Sequence, residues 1–144
     1  TMLPEAGAAR VLLVRLHGDL YGIPSTAVQE IVAAGVLSGG VARLPGADQS
    51  IVGLLNLRGR LVTVVDLAQR ILGIRARAAD PVVLVVSVGD RSLALLVDDV
   101  EDVEEVELDA QSAVGGRFLS GAGRLAEKVV LIVDVNELVA ETLV

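Results

Sequence analysis

The sequence predicts an all-β fold in which two small sheets or barrels pack on one shared core. Three observations predict it. First, the apolar runs are strand-length and separated by turn residues; the longest, Val82 to Val86 among them, are far too short for a membrane helix. Second, the chain is 53% apolar, yet Tyr21 and Phe118 are its only aromatics. The core must therefore be built from Val, Leu, Ile and Ala, and the β-branched members suit strands. Third, the second half repeats the first. Val83–Val88 lines up with Val11–Leu16 at a shift of 72 residues, and Val100-Glu101-Asp102-Val103 with Val28-Gln29-Glu30-Ile31 at the same shift. Val129–Val135 matches Leu61–Leu67 at a shift of 68. Two copies are too few for a solenoid, so they imply two similar units with their apolar faces together.

The elements follow in order. Residues 1–10 read as a loose tail without the basic start and apolar block of a signal peptide. Val11–Leu16 is a strand, His17-Gly18-Asp19 a turn, and Leu20–Ile23 the return strand. Pro24-Ser25-Thr26 breaks the run, and Val28–Val32 resumes it, with Val28 and Glu30 on one face of a regular strand. Glycines and Pro45 make residues 35–50 a loop. Ile51–Leu57 and Leu61–Val65 form a hairpin turned at Arg58-Gly59-Arg60, where Gly59 supplies a left-handed residue and both arginines stand at the tip. Asp66 reads as a helix N-cap with Gln69 three residues on, and Gly73 as the residue that closes this helix. Residues 75–81 are a polar linker. Asp134 and Glu137 repeat the capping pattern before a terminal helix.

Between Asp98 and Asp109 lie eight of the chain's 19 acidic residues. Val97, Val100, Val103 and Val106 recur there every three residues, which taken alone favours a helix. The repeat maps the same stretch onto a strand, and that assignment is preferred. The block is a solvated face or a surface for a basic partner.

Composition excludes much chemistry. A net charge of −7 argues against nucleic-acid binding. There is no cysteine, hence no disulfide, thiolate metal site or thiol nucleophile. His17 is the only histidine and sits in a turn, where exposure is expected and a metal role is not. Gly121-Ala122-Gly123 precedes a strand and is not a phosphate cradle, which needs a helix N-terminus. No nucleophile, base and orienting group can be assembled, so neither an enzyme nor a cofactor is expected.

Tyr21-Gly22-Ile23, Val28–Ile31, Ile51–Gly59 with its Asn56-Leu57-Arg58-Gly59 core, Val64–Leu67, Val97–Val100 and Leu131–Asp134, in that order, resemble the CheW-like domain. The resemblance spans residues 10–144 as one domain. Thr63 departs from it, standing where proline is common in that family. The resemblance implies two five-stranded barrels around a shared core, with short capping helices and a C-terminal helix. It implies a cytoplasmic, non-catalytic adaptor coupling methyl-accepting chemoreceptors to the histidine kinase CheA, without direct membrane insertion. Alternatively, it implies such a domain within a larger protein such as CheA or CheV. It maps receptor binding onto Val28, Glu30, Gly53, Arg58 and Gly59. A contact with the kinase regulatory domain is expected at Val41 and Leu44, apolar residues of the loop before Ile51.

Overall fold

The computed structural model describes residues 7–32, 41–42 (backbone only), 48–109 and 116–143. Eleven strands are β1 Ala8–Leu16, β2 Asp19–Pro24, β3 Val28–Val32, β4 Val41–Ala42, β5 Ile51–Leu57, β6 Arg60–Asp66, β7 Val82–Val88, β8 Arg91–Val97, β9 Asp99–Leu108, β10 Leu119–Leu125 and β11 Lys128–Val133. Among the described residues two α-helices, α1 Leu67–Leu72 and α2 Val135–Thr142, follow β6 and β11, and a short 3-10 turn, Ser25–Ala27, precedes β3. The class is all-β, as the patterning predicts.

The two halves interlock. β1, β2, β11, β10 and β9 close into a barrel, while the other sheet runs β3-β7-β8-β6-β5-β4. Each unit thus borrows strands from both halves of the chain. The registers obey the repeat: Ile31 faces Leu84 as Val103 faces Leu12, and Val64 faces Ala94 as Ile132 faces Gly22. Even the bulges recur, between Ile51 and Gly53 and between Leu119 and Gly121.

Strict alternation distributes the apolar residues. Along β1, Val11 and Leu13 fill the closed barrel, while Leu12, Val14 and Leu16 join the core shared by the two sheets. Along β7, Val83 and Val85 pack inside the second sheet, and Leu84 and Val86 face the shared core. Strands buried on both faces need near-continuous apolar sequence, which is what these runs supply. Leu67, Ala68, Val135, Leu138 and Val139 bring both helices onto the shared core.

Asp66 and Asp134 are the N-caps, accepting from Gln69 N at 3.2 Å and Glu137 N at 3.0 Å. The reciprocal arm of a capping box is not made. The amide of Asp66 donates instead to Ser50 O and that of Asp134 to Phe118 O, both at 2.7 Å. Gly73, with φ 75°, closes α1.

Four expectations are corrected. The tail ends sooner, because Ala8–Arg10 already pair with β9. The stretch before Ile51 contains β4, so Val41 pairs with Leu55 and is no loop residue. The linker after Gly73 is tied down: Asp66 accepts from Ala76 N, and Asp98 from Arg77 N and Ala78 N. His17 is not simply exposed, since its amide donates to Asp98 Oδ2 at 2.8 Å and its Nε2 lies 2.6 Å from Arg75 O.

The acidic block is strand β9. Its valines, every third residue, fall on both faces: Val100 packs on the shared core, Val106 is buried inside the barrel, and Val103 is 49% exposed. On a regular strand Val100 and Val106, six residues apart, would share a face; the register shift between Val100 and Val103 turns them to different cores.

Candidate functional site

The two units close differently, and the site lies at that difference. In the barrel, the ten-residue β9 pairs with β1 along one part and with β10 at its end, where Gly123 meets Leu108. In the second sheet the same two roles fall to separate strands, β3 on β7 and β4 on β5. β3 and β4 are therefore the terminal strands of that sheet.

Arg58 spans this seam. It occupies the β5–β6 turn with φ 52°, and Gly59 follows at φ 85°. Two successive residues with positive φ make a turn whose twist matches the flanking strands. Asn56 stabilises the turn by accepting from Gly59 N at 2.8 Å. From this tip Arg58 reaches Glu30 on β3: Nη1 donates to Oε1 at 2.9 Å and Nη2 to Oε2 at 2.5 Å. This fork-on-carboxylate geometry fixes orientation as well as distance. The hydrogen bonds from Arg58 hold the Glu30 carboxyl below its ordinary pKa, and Glu30 holds the guanidinium above its own. The Arg58 side chain is 72% exposed, so the pair presents a charged, oriented surface rather than a buried strut. A second polar chain runs beside it: Arg60 Nη2 donates to Ser92 Oγ at 2.7 Å, and Ser92 Oγ to Gln29 Oε1 at 3.2 Å.

The structure brings together Glu30, Arg58 and Gly59 but not the other expected residues. Val28 and Glu30 do not share a face. A bulge between them pairs Val28 with Val86 and Glu30 with Val85, and those two valines face different cores. One extra residue reverses the alternation. Val28 is half-buried against the shared core. Gly53 is buried at the β5 bulge with φ 156°, about 16 Å along the strand from Arg58 at ordinary strand rise. Val41 is placed by its backbone alone, and Leu44 lies outside the described residues.

Sequence reasoning also missed a pattern that the repeat could have exposed. Ile31 and Val103 are equivalent positions, 52% and 49% exposed; Leu61 and Val129 are equivalent too, 69% and 60% exposed. The repeat thus leaves large apolar side chains in water at matched positions of both units. Among the described residues, no three His, Cys, Asp or Glu side chains group as a metal site would require, and no helix is long and apolar enough to cross a membrane.

Fold and site define an all-β protein of one closed barrel and a second six-stranded sheet, with an exposed charged pair at the seam of that sheet. The chain belongs to the CheW-like domain family, whose sequence profile matches residues 10–143. It is 30% identical to the chemotaxis protein CheW of Klebsiella aerogenes, over 94% of this chain and 84% of that protein. It is 29% identical to a probable chemotaxis protein CheW of Rhizobium etli, over 69% of each. Its fold matches the crystal structure of the scaffolding protein TtCheW from Thermoanaerobacter tengcongensis with a TM-score of 0.73, at 24% identity, covering 87% of this chain and 88% of that one.

Proposed function

We propose that the chain is a cytoplasmic, non-catalytic scaffold of bacterial chemosensory signalling that couples methyl-accepting chemoreceptors to the histidine kinase CheA. Membership of the CheW-like family and the names of its relatives support the class. The observation that carries the coupling role is the exposed Glu30–Arg58 fork across the seam of the second sheet. An exposed pair of this kind contributes little to stability, which leaves its oriented charges free to meet a partner. At an interface, a desolvated Arg anchor is worth about 2 kcal/mol or more of binding. The receptor's cytoplasmic tip is assigned to the surface around Glu30, Arg58 and Gly59, with Val28 and Gly53 supporting the strands that hold them. The CheA regulatory domain is assigned to the stretch before β5 that holds Val41 and Leu44; Val41 lies on β4, a terminal strand of the second sheet among the described residues, and such a strand offers unpaired backbone to a partner.

The test is reconstitution with purified kinase and receptor-bearing membranes. Arg58→Ala and Arg58→Lys are expected to lower receptor-dependent kinase activation while melting within a few degrees of the parent. Lysine keeps the charge but loses the fork. Full activation by folded Arg58→Ala protein overturns the receptor assignment. Undiminished kinase capture by Val41→Ser/Leu44→Ser protein overturns the other.

A further inference from the structure

A cavity of about 530 Å³ lies between α1 and the two segments that precede β5 and β10, lined by Asp48, Ser50, Arg70, Arg117 and Phe118 among others. Two guanidinium groups meet there on one ring, with Arg70 Cζ 5.4 Å and Arg117 Cζ 4.9 Å from the Phe118 centroid. The ring itself is buried in the shared core. The two cations are compensated unequally. Arg117 pairs with Glu141 at 3.2 Å. Arg70 has no carboxylate at ion-pair distance among the described residues, and its Nε is buried without a hydrogen-bond partner.

The carboxylates nearby are already engaged. Asp48 Oδ1 accepts from Ser50 N at 2.8 Å and Ser50 Oγ at 2.7 Å, and these bonds are what chiefly hold its pKa down; the Arg70 charge adds a smaller share. Glu137 accepts from Phe118 N. A buried, unpartnered donor on a guanidinium is costly and calls for an acceptor. The planar fork matches phosphate oxygens. The volume falls within the range of small-ligand sites, about 300–1,000 Å³, and exceeds what one water would fill. We propose that this cavity is a binding site for a phosphate-class oxyanion, held by Arg70 and Arg117 against Phe118.

The test follows the arginine Nε–H resonances of the intact chain by NMR while sodium phosphate, glycerol 2-phosphate or sodium acetate replaces chloride at constant ionic strength. Saturable shifts at Arg70 and Arg117 with phosphate are expected, with weaker response to acetate. Arg70→Met should weaken phosphate binding at least about tenfold, equivalent to about 1.4 kcal/mol, while Arg124→Gln on β10 leaves it unchanged. Tighter binding of the ester than of free phosphate would identify an organic phosphate as the ligand, and the reverse order the free ion; either supports the site. If Arg70→Met does not fold, Arg117→Met provides the same comparison. No saturable shift, acetate binding as tightly as phosphate, or undiminished binding in the folded arginine variants overturns the proposal.

Discussion

The closed barrel and the second sheet are two versions of one unit, and they differ at their seams. In the barrel a single strand, β9, reaches from β1 to β10 and closes the ring through backbone hydrogen bonds. In the second sheet the corresponding span is divided between β3 and β4, and a side-chain fork from Arg58 to Glu30 crosses from the hairpin to β3. Backbone closure leaves little freedom and little for a partner to read. Closure that includes exposed side chains leaves a charged surface that a partner can engage without unfolding a ladder. The two units thus differ in how they close: one through backbone pairing, the other through exposed side chains as well.

Equivalent positions in the two seams give the largest test. At a shift of 68 residues, Leu55 of the second sheet corresponds to Gly123 of the barrel. Leu55 is fully buried inside its sheet. Leu55→Ala should therefore cost about 2–5 kcal/mol, read as a lower denaturant midpoint at unchanged slope. A loss below about 1 kcal/mol would mean that the second sheet is not packed as a barrel interior.

Gly123 marks the opposite constraint. A Cβ there would stand 2.3 Å from Val106 Cγ1 and 3.0 Å from Glu107 O. Gly123→Ala should destabilise by about 1–3 kcal/mol through overpacking. Thermal unfolding without change would show that β9 and β10 are not closely apposed.

Asp98 offers a third, pH-dependent comparison, since it ties the barrel's first turn to the linker after α1. Burial raises its pKa, but the amides of His17, Ala78 and Arg77 outweigh that and hold it below the ordinary value. A carboxyl depressed in the folded state stabilises above its unfolded pKa of about 3.9 and loses that contribution as pH falls through the folded value. Asp98→Asn should cost about 1–2 kcal/mol near neutrality, solvent screening included, and the gap should narrow below about pH 4. A gap independent of pH would show that the charge is not what matters.

The smallest effect is expected at the seam itself. Arg58→Ala should leave the melting temperature within a few degrees of the parent, because the pair is exposed. A double-mutant cycle with Glu30→Gln measures the coupling directly. Single variants that each melt far below the parent, with little further loss in the double variant, would make the fork a structural clasp and remove the contrast between the two seams.

The sequence was most informative where chemistry is local. The caps at Asp66 and Asp134, the turn at Arg58-Gly59 and the αL residue Gly73 each depend on a few consecutive residues, and all were legible. The repeat was legible for a similar reason: strand patterning survives as apolar runs, and two copies at fixed shifts reinforce each other. The valines of β9 show the limit. Their three-residue spacing mimics a helix, and only alignment to the first half pointed to a strand.

What the sequence by itself determined was the class, the elements, the repeat and the polarity of the surface. Tertiary structure alone decided how the halves interlock, because strand pairing joins residues that no local pattern links. It also decided which side of β3 each residue takes: the bulge beside Gln29 reverses the phase, so Val28 turns to the shared core while Glu30 meets the hairpin tip. The fork itself joins residues 28 positions apart, at the geometry of one carboxylate and one guanidinium. Patterning specifies which residues are buried, since that depends on period. Which charge meets which depends on register, and register is settled only when the sheets close.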